Sequence, residues 1–534
     1  MSTYYNSRKT KVITAKNFRD SFSLDNTKKV GYVFLGKASA FPNENVASEI
    51  EDTLASEKQA WDTMIAAKRV LAGDVEFVIP KYQWTANTKY KQFDDTKTLD
   101  FLLSTSDNGG SPVYPMYVIN SEGNVYKCLC NNVSANSTVE PTGDYGQNQG
   151  FIQTVDNVDG SGYLWKYLYN VRDSNKFLTT DWIPVPFNID EKVSDYNLSA
   201  NNLIDGSLNK VILTNKGSGY VHTTFNVASF SANATSLTVT DDFSLATSNI
   251  KKDMLVTGTG IFQGTYISSI DTTFNRLILS TPTVSPGGGT SNSVTALTRI
   301  SIVGDGTQTT ANVRLNGNNE IQKIEVINFG SNYTRANVFI YGSGTGANAR
   351  AVLPPKYGHG YNPAMELGST NVMITSRIGD VDASEGGLIP TDTPFRQYGV
   401  LVNPHKYGAN VTTELLNTEA NSVISQTTNL NLVSGSGSAF QQFEMLYQGS
   451  LANPTFKGYV VSQGSNVVKL SEVSGNVTLG SIITGANSSI YRIVSAIKNP
   501  EFQPYAGDIL YAQNILKVER SEGQAEEIKL IFKF

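Results

Sequence analysis

The stretch Lys210-Val-Ile-Leu-Thr-Asn-Lys-Gly-Ser-Gly-Tyr220 returns later as Lys323-Ile-Glu-Val-Ile-Asn-Phe-Gly-Ser-Asn-Tyr333. The matched positions are Lys210 and Lys323, the apolar pairs Val211/Ile324 and Leu213/Val326, then Asn215/Asn328, Gly217/Gly330, Ser218/Ser331 and Tyr220/Tyr333. An apolar residue at every second position marks a half-buried strand. Asn-x-Gly-Ser followed by Gly or Asn supplies residues that tolerate positive φ, so each strand should end in a tight turn. The tyrosine should then open the next strand. A β-hairpin module has been copied, and nothing in the copy is chemically reactive.

The copies differ beyond their tyrosines. After Tyr333 the chain runs on through Asn337–Tyr341 and Gly342-Ser-Gly-Thr-Gly-Ala347 to Arg350–Leu353. The counterpart after Tyr220, Ile302-Val-Gly-Asp-Gly-Thr307 to Asn312–Leu315, comes only well downstream. The first copy is therefore expected to be split by an insertion of about 75 residues between Phe225 and Thr298, within the size of a small domain. Duplication and nesting add contact surface; they are a poor route to a catalytic pocket.

At 534 residues the chain is long enough for roughly three to four domains, each with its own core. Charged residues make up 17 %, and Gly217–Asn318 holds only ten of them in a background of Ser, Thr, Asn and Gly. With a net charge of −5 and no long Lys/Arg block, there is no electrostatic footprint for nucleic acid or an anionic membrane. The two cysteines, Cys128 and Cys130, should share a strand face with Tyr126 as small buried groups. A metal site would need two more ligands, and His222, His359 and His405 are scattered. Met1-Ser-Thr-Tyr-Tyr5 does not read as a signal peptide, and no apolar run reaches the ~18 residues of a membrane span. The chain is expected to be cytoplasmic when made.

Two N-terminal helices are expected. Thr14 should cap a short one bearing Ala15, Phe18 and Phe22; a second should begin at Ser56, with Gln59 completing a capping box, and run to Leu71-Ala-Gly73 on the stripe Trp61, Met64 and Ile65. Strands should lie at Val75–Ile79, at Tyr117–Asn120 paired with Val125–Cys128, and at Gly162–Tyr169; Trp182–Phe187 is extended. Pro354–Pro363 reads as a loop and Phe395–Pro404 as a strand. Phe443–Ala496 alternates short strands and turns, as in a five-strand SH3-like barrel. The terminal Ile528, Leu530, Phe532 and Phe534 should share one face of a strand that pins the C-terminus into a sheet.

The order of certain segments is informative. Lys16-Asn-Phe-Arg-Asp20 is followed by Phe77-Val-Ile-Pro-Lys-Tyr-Gln-Trp84, Val125-Tyr-Lys-Cys-Leu129, Gly162–Leu168, Phe395-Arg-Gln397, Gly507-Asp-Ile-Leu-Tyr511 and Glu526–Phe534. In that order they resemble the baseplate wedge subunit of T-even-type contractile-tailed phages, the product of their gene eight. The resemblance covers residues 1–205, 355–436 and 500–534. It implies a non-enzymatic, mostly β virion protein that is a homodimer and joins the other baseplate wedge proteins, with no catalytic residues to carry over.

Features that suggest chemistry have plainer readings. Gly258-Thr-Gly-Ile-Phe-Gln-Gly264 has GxGxxxG spacing and runs into a β-branched segment, where a phosphate site needs a helix N-terminus. Gly342–Ala347 lies between strands and fails likewise. Asp156-Asn-Val-Asp-Gly160 lacks the acidic twelfth position of a calcium loop, which is Tyr167, and reads as a polar turn. Asp94-Asp95, Asp241-Asp242 and Glu526-Glu527 would point to opposite faces on strands, so none reads as an acid/base pair. His359, between glycines, reads as a structural turn. The aromatic face Tyr163, Trp165, Tyr167 and Tyr169 is expected to pack on the Ser56–Leu71 helix rather than form a sugar-stacking strip.

The expected fold class is mainly β with an α+β N-terminal part: antiparallel sheets and sandwiches, a split duplicated β-module and a small barrel. The expected segments are 1–205 as the α+β core, 206–354 as the duplicated module with a domain nested at 226–297, 355–436 as core, 437–499 as the barrel, and 500–534 returning to the core. No catalytic, cofactor-binding or metal-binding residue is assigned and no cofactor is expected. The expected function is a structural virion subunit of the tail baseplate, assembled in the host cytoplasm without nucleic acid or membrane insertion. The alternative is a tail fibre or adhesin binding host-surface glycans.

Overall fold

The structure is a computed structural model that describes residues 7–22, 30–106, 110, 112–132, 134–144, 146–156, 162–189, 203–288, 293–378, 393–409, 423–436, 439–519 and 524–534. The chain is mostly β, built from antiparallel sheets with a few short helices. It divides into two compact units: Met1–Ile79 with Trp182–Val185 and Ser369–Phe534, and Pro80–Asp181 with Pro186–Gly368.

In the first unit a five-stranded sheet runs in the order Val423–Ser425, Met64–Val70, Gly31–Gly36, Phe395–Val402, Asp508–Val518. The N-terminal helix is Arg8–Ser21 and is capped by Ser7, whose hydroxyl accepts the Thr10 N–H at 3.2 Å. Thr14, expected as the cap, lies in the second turn and donates to the Thr10 carbonyl. The second helix is only Leu54–Thr63, capped by Thr53 in place of Ser56. The apolar stripe that suggested a helix to Leu71 is cut at Met64, because Met64–Val70 is a central strand buried along nearly its whole length. A buried run of this kind has no period-2 signature, and pairing on both sides overrides the helix preference of Ala66-Ala67.

A four-stranded sheet of the same unit has the order Glu526–Lys533, Asn371–Ile378, Val75–Pro80, Trp182–Val185. Its terminal strand carries Phe532 and Phe534 onto Phe18 of the first helix, with ring centroids 5.1 Å apart in each case. The barrel closes with six strands, not five. Thr428–Gly435 supplies the additional one, lying between Val467–Gly475 and Tyr491–Lys498. Its Leu430 and Leu432 enter a core with Leu446, Phe456, Val468, Ile483 and Val494.

The second unit holds a sheet ordered Tyr117–Ile119, Asn124–Cys130, Leu164–Asn170, Phe151–Gln153. Trp165, Tyr163 and Tyr167 are buried with Tyr90, Val118, Tyr126 and Cys128. The aromatic face is therefore core, and its neighbours are strands and loops of its own unit rather than the expected helix. Residues 223–297 form two small sheets around Phe225, Leu237, Met254, Val256, Ile267, Leu277 and Val294. The glycines of Gly258–Gly264 lie in turns there, and Gly342–Gly344 turn between Ala336–Tyr341 and Thr345–Ala351.

The duplicated strands do not pair within their own copies. Val211–Ser218 of the first copy pairs with Thr345–Ala351 of the second, and Ile321–Ser331 of the second pairs with Thr307–Leu315 of the first. The middle strands, Arg299–Gly304 and Ala336–Tyr341, pair with each other. Registers correspond residue for residue: Ser218↔Thr345 matches Ser331↔Thr307, and the irregularity after Asn348 matches that after Thr310. The copies are thus intertwined about a pseudo-two-fold axis, the isologous arrangement of a dimer within one chain.

The shared residues of the repeat make this exchange. Asn215 and Asn328 each accept the N–H two residues on, at 3.0 Å, setting Gly217 and Gly330 at φ +62° and +60°. Tyr220 lies on Gly342 and Gly344 of the other copy, and Tyr333 lies on Gly304 and Gly306, so closely that a Cβ at Gly306 would stand 2.4 Å from the Tyr333 ring. The backbone N–H of each tyrosine crosses as well, Tyr220 to the Asn319 carbonyl at 2.9 Å and Tyr333 to the Gly206 carbonyl at 3.2 Å.

Two variants test this architecture. Gly306→Val should lower unfolding free energy by about 1–3 kcal/mol by overpacking Tyr333, measured by urea denaturation. Replacing residues 223–297 by a short Gly/Ser linker should leave a protein that still melts cooperatively by circular dichroism, since those residues carry their own core.

Candidate functional site: a buried ion cluster and an exposed strand edge

Strand Asn124–Cys130 is buried on both faces. Tyr126 and Cys128 point into the aromatic core, so Lys127 must emerge on the opposite face. Its partner in register across the ladder is Lys166. Two ammonium groups directly opposite one another repel, more so out of water, and the surroundings answer that problem.

Glu366 closes the helix Pro363–Glu366, which Asn362 caps by accepting the Met365 N–H at 2.9 Å. Its carboxylate takes the Lys127 Nζ at 2.7 Å and the Gly360 N–H at 2.6 Å. His359 is turned inward between Gly358 and Gly360, at φ +89° and +94°. Its Nδ1 lies 3.0 Å from Lys127 Nζ and 3.6 Å from the carboxylate, so Nδ1 accepts from the ammonium and the ring is neutral. Phe93 offers its ring face to Lys127, 3.9 Å from Nζ to the centroid, and packs edge-on to His359. Lys166 donates to the Gln149 carbonyl at 2.6 Å and lies over Phe151.

This geometry sets the protonation states. Burial, reinforced by the Lys127 charge, depresses His359 to about 4. Burial would raise Glu366, but the Lys127 ammonium outweighs it and holds the carboxyl down to about 2. Burial lowers Lys166 to about 8, with Glu366 opposing. Lys127, His359 and Glu366 are all buried, and none lines the cleft of about 600 Å³ in the same unit. The arrangement ties a strand, a loop and a helix together; it offers no group to a reactant from solvent.

Other singled-out residues are structural as well. Asp94 and Asp95 lie in a loop rather than on a strand, and they converge: Arg350 binds both, and Asp95 also accepts the Leu353 N–H at 3.1 Å. Asp156 accepts the N–H groups of Thr138, Val139 and Tyr163 and the Thr154 hydroxyl, while Asn157–Gly160 lie outside the described residues. Asp241 binds Asn226, and Asp242 caps the helix Phe243–Ser248. Cys128 is buried and Cys130 half-buried, both as free thiols. Among the described residues no group of three or more His, Cys, Asp or Glu is placed to hold a metal ion, and no helix is long and apolar enough to cross a membrane.

The surface of the first unit offers a different feature. Asp508–Val518 is the outermost strand of the five-stranded sheet, eleven residues long, and Phe395–Val402 is its only sheet neighbour among the described strands. Leu510, Tyr511 and Leu516 are exposed on it, Leu516 by 54 %. Tyr511 meets Phe532 at 5.8 Å, which brings alongside it the edge strand Glu526–Lys533 with its exposed Ile531. A long apolar edge is a template for pairing with another chain.

No family model matches this chain, and no curated protein matches it.

Sequence reasoning singles out Val125–Leu129 and Gly162–Leu168 without showing that their lysines face each other, and it gives no prominence to Glu366. The available signal is a lone Lys in the middle of each aromatic run. Glu366→Gln should cost about 3–5 kcal/mol, because it strands a buried ammonium. The pH dependence has a definite sign. As pH falls from 6.5 to about 4 the unfolded chain protonates His359 while the folded chain does not, and Glu366 continues the trend down to about 2. Stability is therefore lost on acidification, and His359→Gln should flatten the urea-unfolding free energy between pH 6.5 and 4.

Proposed function

We propose that this chain is a structural assembly subunit of a contractile tail baseplate, working by binding its neighbours. The observation that carries the reading is the long apolar edge strand Asp508–Val518, flanked by the edge strand that bears Ile531. The order of the seven segments that resemble baseplate wedge proteins supports it, since two of those segments, Gly507–Tyr511 and Glu526–Phe534, lie on these same edges. Antiparallel pairing of Asp508–Val518 with its copy about a two-fold axis satisfies both sets of edge backbone groups and covers Leu510 and Leu516. Such a homodimer presents every other surface twice to the surrounding wedge proteins. The work of the protein is then geometric: rigid β-modules fix the angles between partners, and contraction acts on the interfaces.

Light scattering on a sizing column should give twice the 58.0 kDa chain mass. Leu516→Glu combined with Leu510→Lys should give monomers with an unchanged circular dichroism spectrum. A trimer of the unmodified chain would move the reading to a glycan-binding fibre.

A further inference from the structure

The cleft of about 600 Å³ in the second unit is built by the duplication itself. Its floor is residues 209–216 of the first copy and 322–327 of the second, and the matched lysines Lys210 and Lys323 both line it. Six strand residues span about 20 Å, so the floor is an elongated trough suited to an extended chain. The opposite wall includes Cys130, Gln153 and Leu164.

Two observations bear on what fits there. The charge of the lining is opposite in sign to that of the whole chain: Lys210, Lys216, Arg314 and Lys323 face a single carboxylate, Glu325, which holds Arg314 at 3.2 Å and Lys323 at 3.1 Å. Between the charges the floor is apolar, with Ile212 half-buried and Ile327 61 % exposed.

We propose that this cleft docks an extended acidic segment of a partner protein, with its carboxylates at Lys210 and Lys216 and apolar side chains on Ile212 and Ile327. The Lys210 ammonium already leans on the Gln92 side-chain carbonyl, and burial weakens its hold on its proton. An arriving carboxylate opposes that effect and restores the charge. Alternating acidic and β-branched residues match the trough, because strand side chains alternate between a floor and a rim. This goes beyond the assembly reading, which rests on a different unit of the chain.

The test uses the full chain and a fluorescein-labelled peptide of four Glu-Val repeats, followed by anisotropy. Binding in the micromolar range is expected, with a Gln-Val peptide at least tenfold weaker. Lys216→Glu, a change at the cleft rim that leaves the core intact, should weaken binding by about tenfold. Bound peptide should also slow alkylation of the half-buried Cys130 by iodoacetamide. The proposal is overturned by absence of binding, by equal binding of the Gln-Val peptide, by Lys216→Glu binding as tightly as the unmodified chain, or by free glutarate binding as tightly as the peptide.

Discussion

The duplicated module depends on one contact made twice: a tyrosine of each copy lying on the Gly-x-Gly turn of the other. Tyr220 and Tyr333 are both buried, and any side chain at the facing glycines would displace them. Because each ring is seated by the opposite copy, neither copy can bury its own tyrosine. The strands inherit the same exchange, since the tyrosine backbone also bonds across. The likeness between the copies therefore records a requirement of symmetry: the tyrosines, the turn glycines and the asparagines that set them must match because each copy receives the other's.

The charged groups of the second unit arise from a related constraint. Lys127 and Lys166 are brought opposite one another by the strand register, and both are buried. Glu366, two aromatic faces, the His359 ring nitrogen and the Gln149 carbonyl compensate them. Such a cluster adds little to stability relative to a well-packed apolar core, but it tolerates no missing member. It behaves as a specifier of how loop 358–360 and helix Pro363–Glu366 seat on the sheet.

Local chemistry is legible in the sequence wherever a period or a turn residue is decisive. The hairpin Tyr117–Ile119 to Asn124–Cys130, the terminal strand with Leu530 and Phe532, and the positive φ of Gly217 and Gly330 read directly, although the repeated Gly-Ser pairs lie inside paired strands and do not end them in turns. Runs buried on every side do not. Met64–Val70 carries the residues of a helix stripe and the burial of a central strand, and only its partners decide. Thr428–Gly435 completes the barrel through pairings with strands far along the chain, which no window of neighbours reveals. The Lys127 cluster is invisible because its members come from three separate stretches, and the edge at Asp508–Val518 because exposure is a property of the sheet order. The exchange of strands between repeat copies is likewise beyond reach: similarity shows that two copies exist, and not whom each one pairs with.

The nested residues 223–297 have a bearing on how the chain is made. Thr223 pairs with Ala296, so the two ends of this segment leave its sheet side by side. For the module that hosts it, the insertion is a closed loop whose length costs almost no entropy once it has folded. During synthesis, Val211–Ser218 emerges first and must wait for Thr345–Ala351, its partner and the last strand of the second copy. Through that interval its edge is open, the condition under which nascent β-chains associate wrongly. With its own core and adjoining ends, the folded insertion separates the waiting strand from its complement by less than an unstructured segment of the same length would.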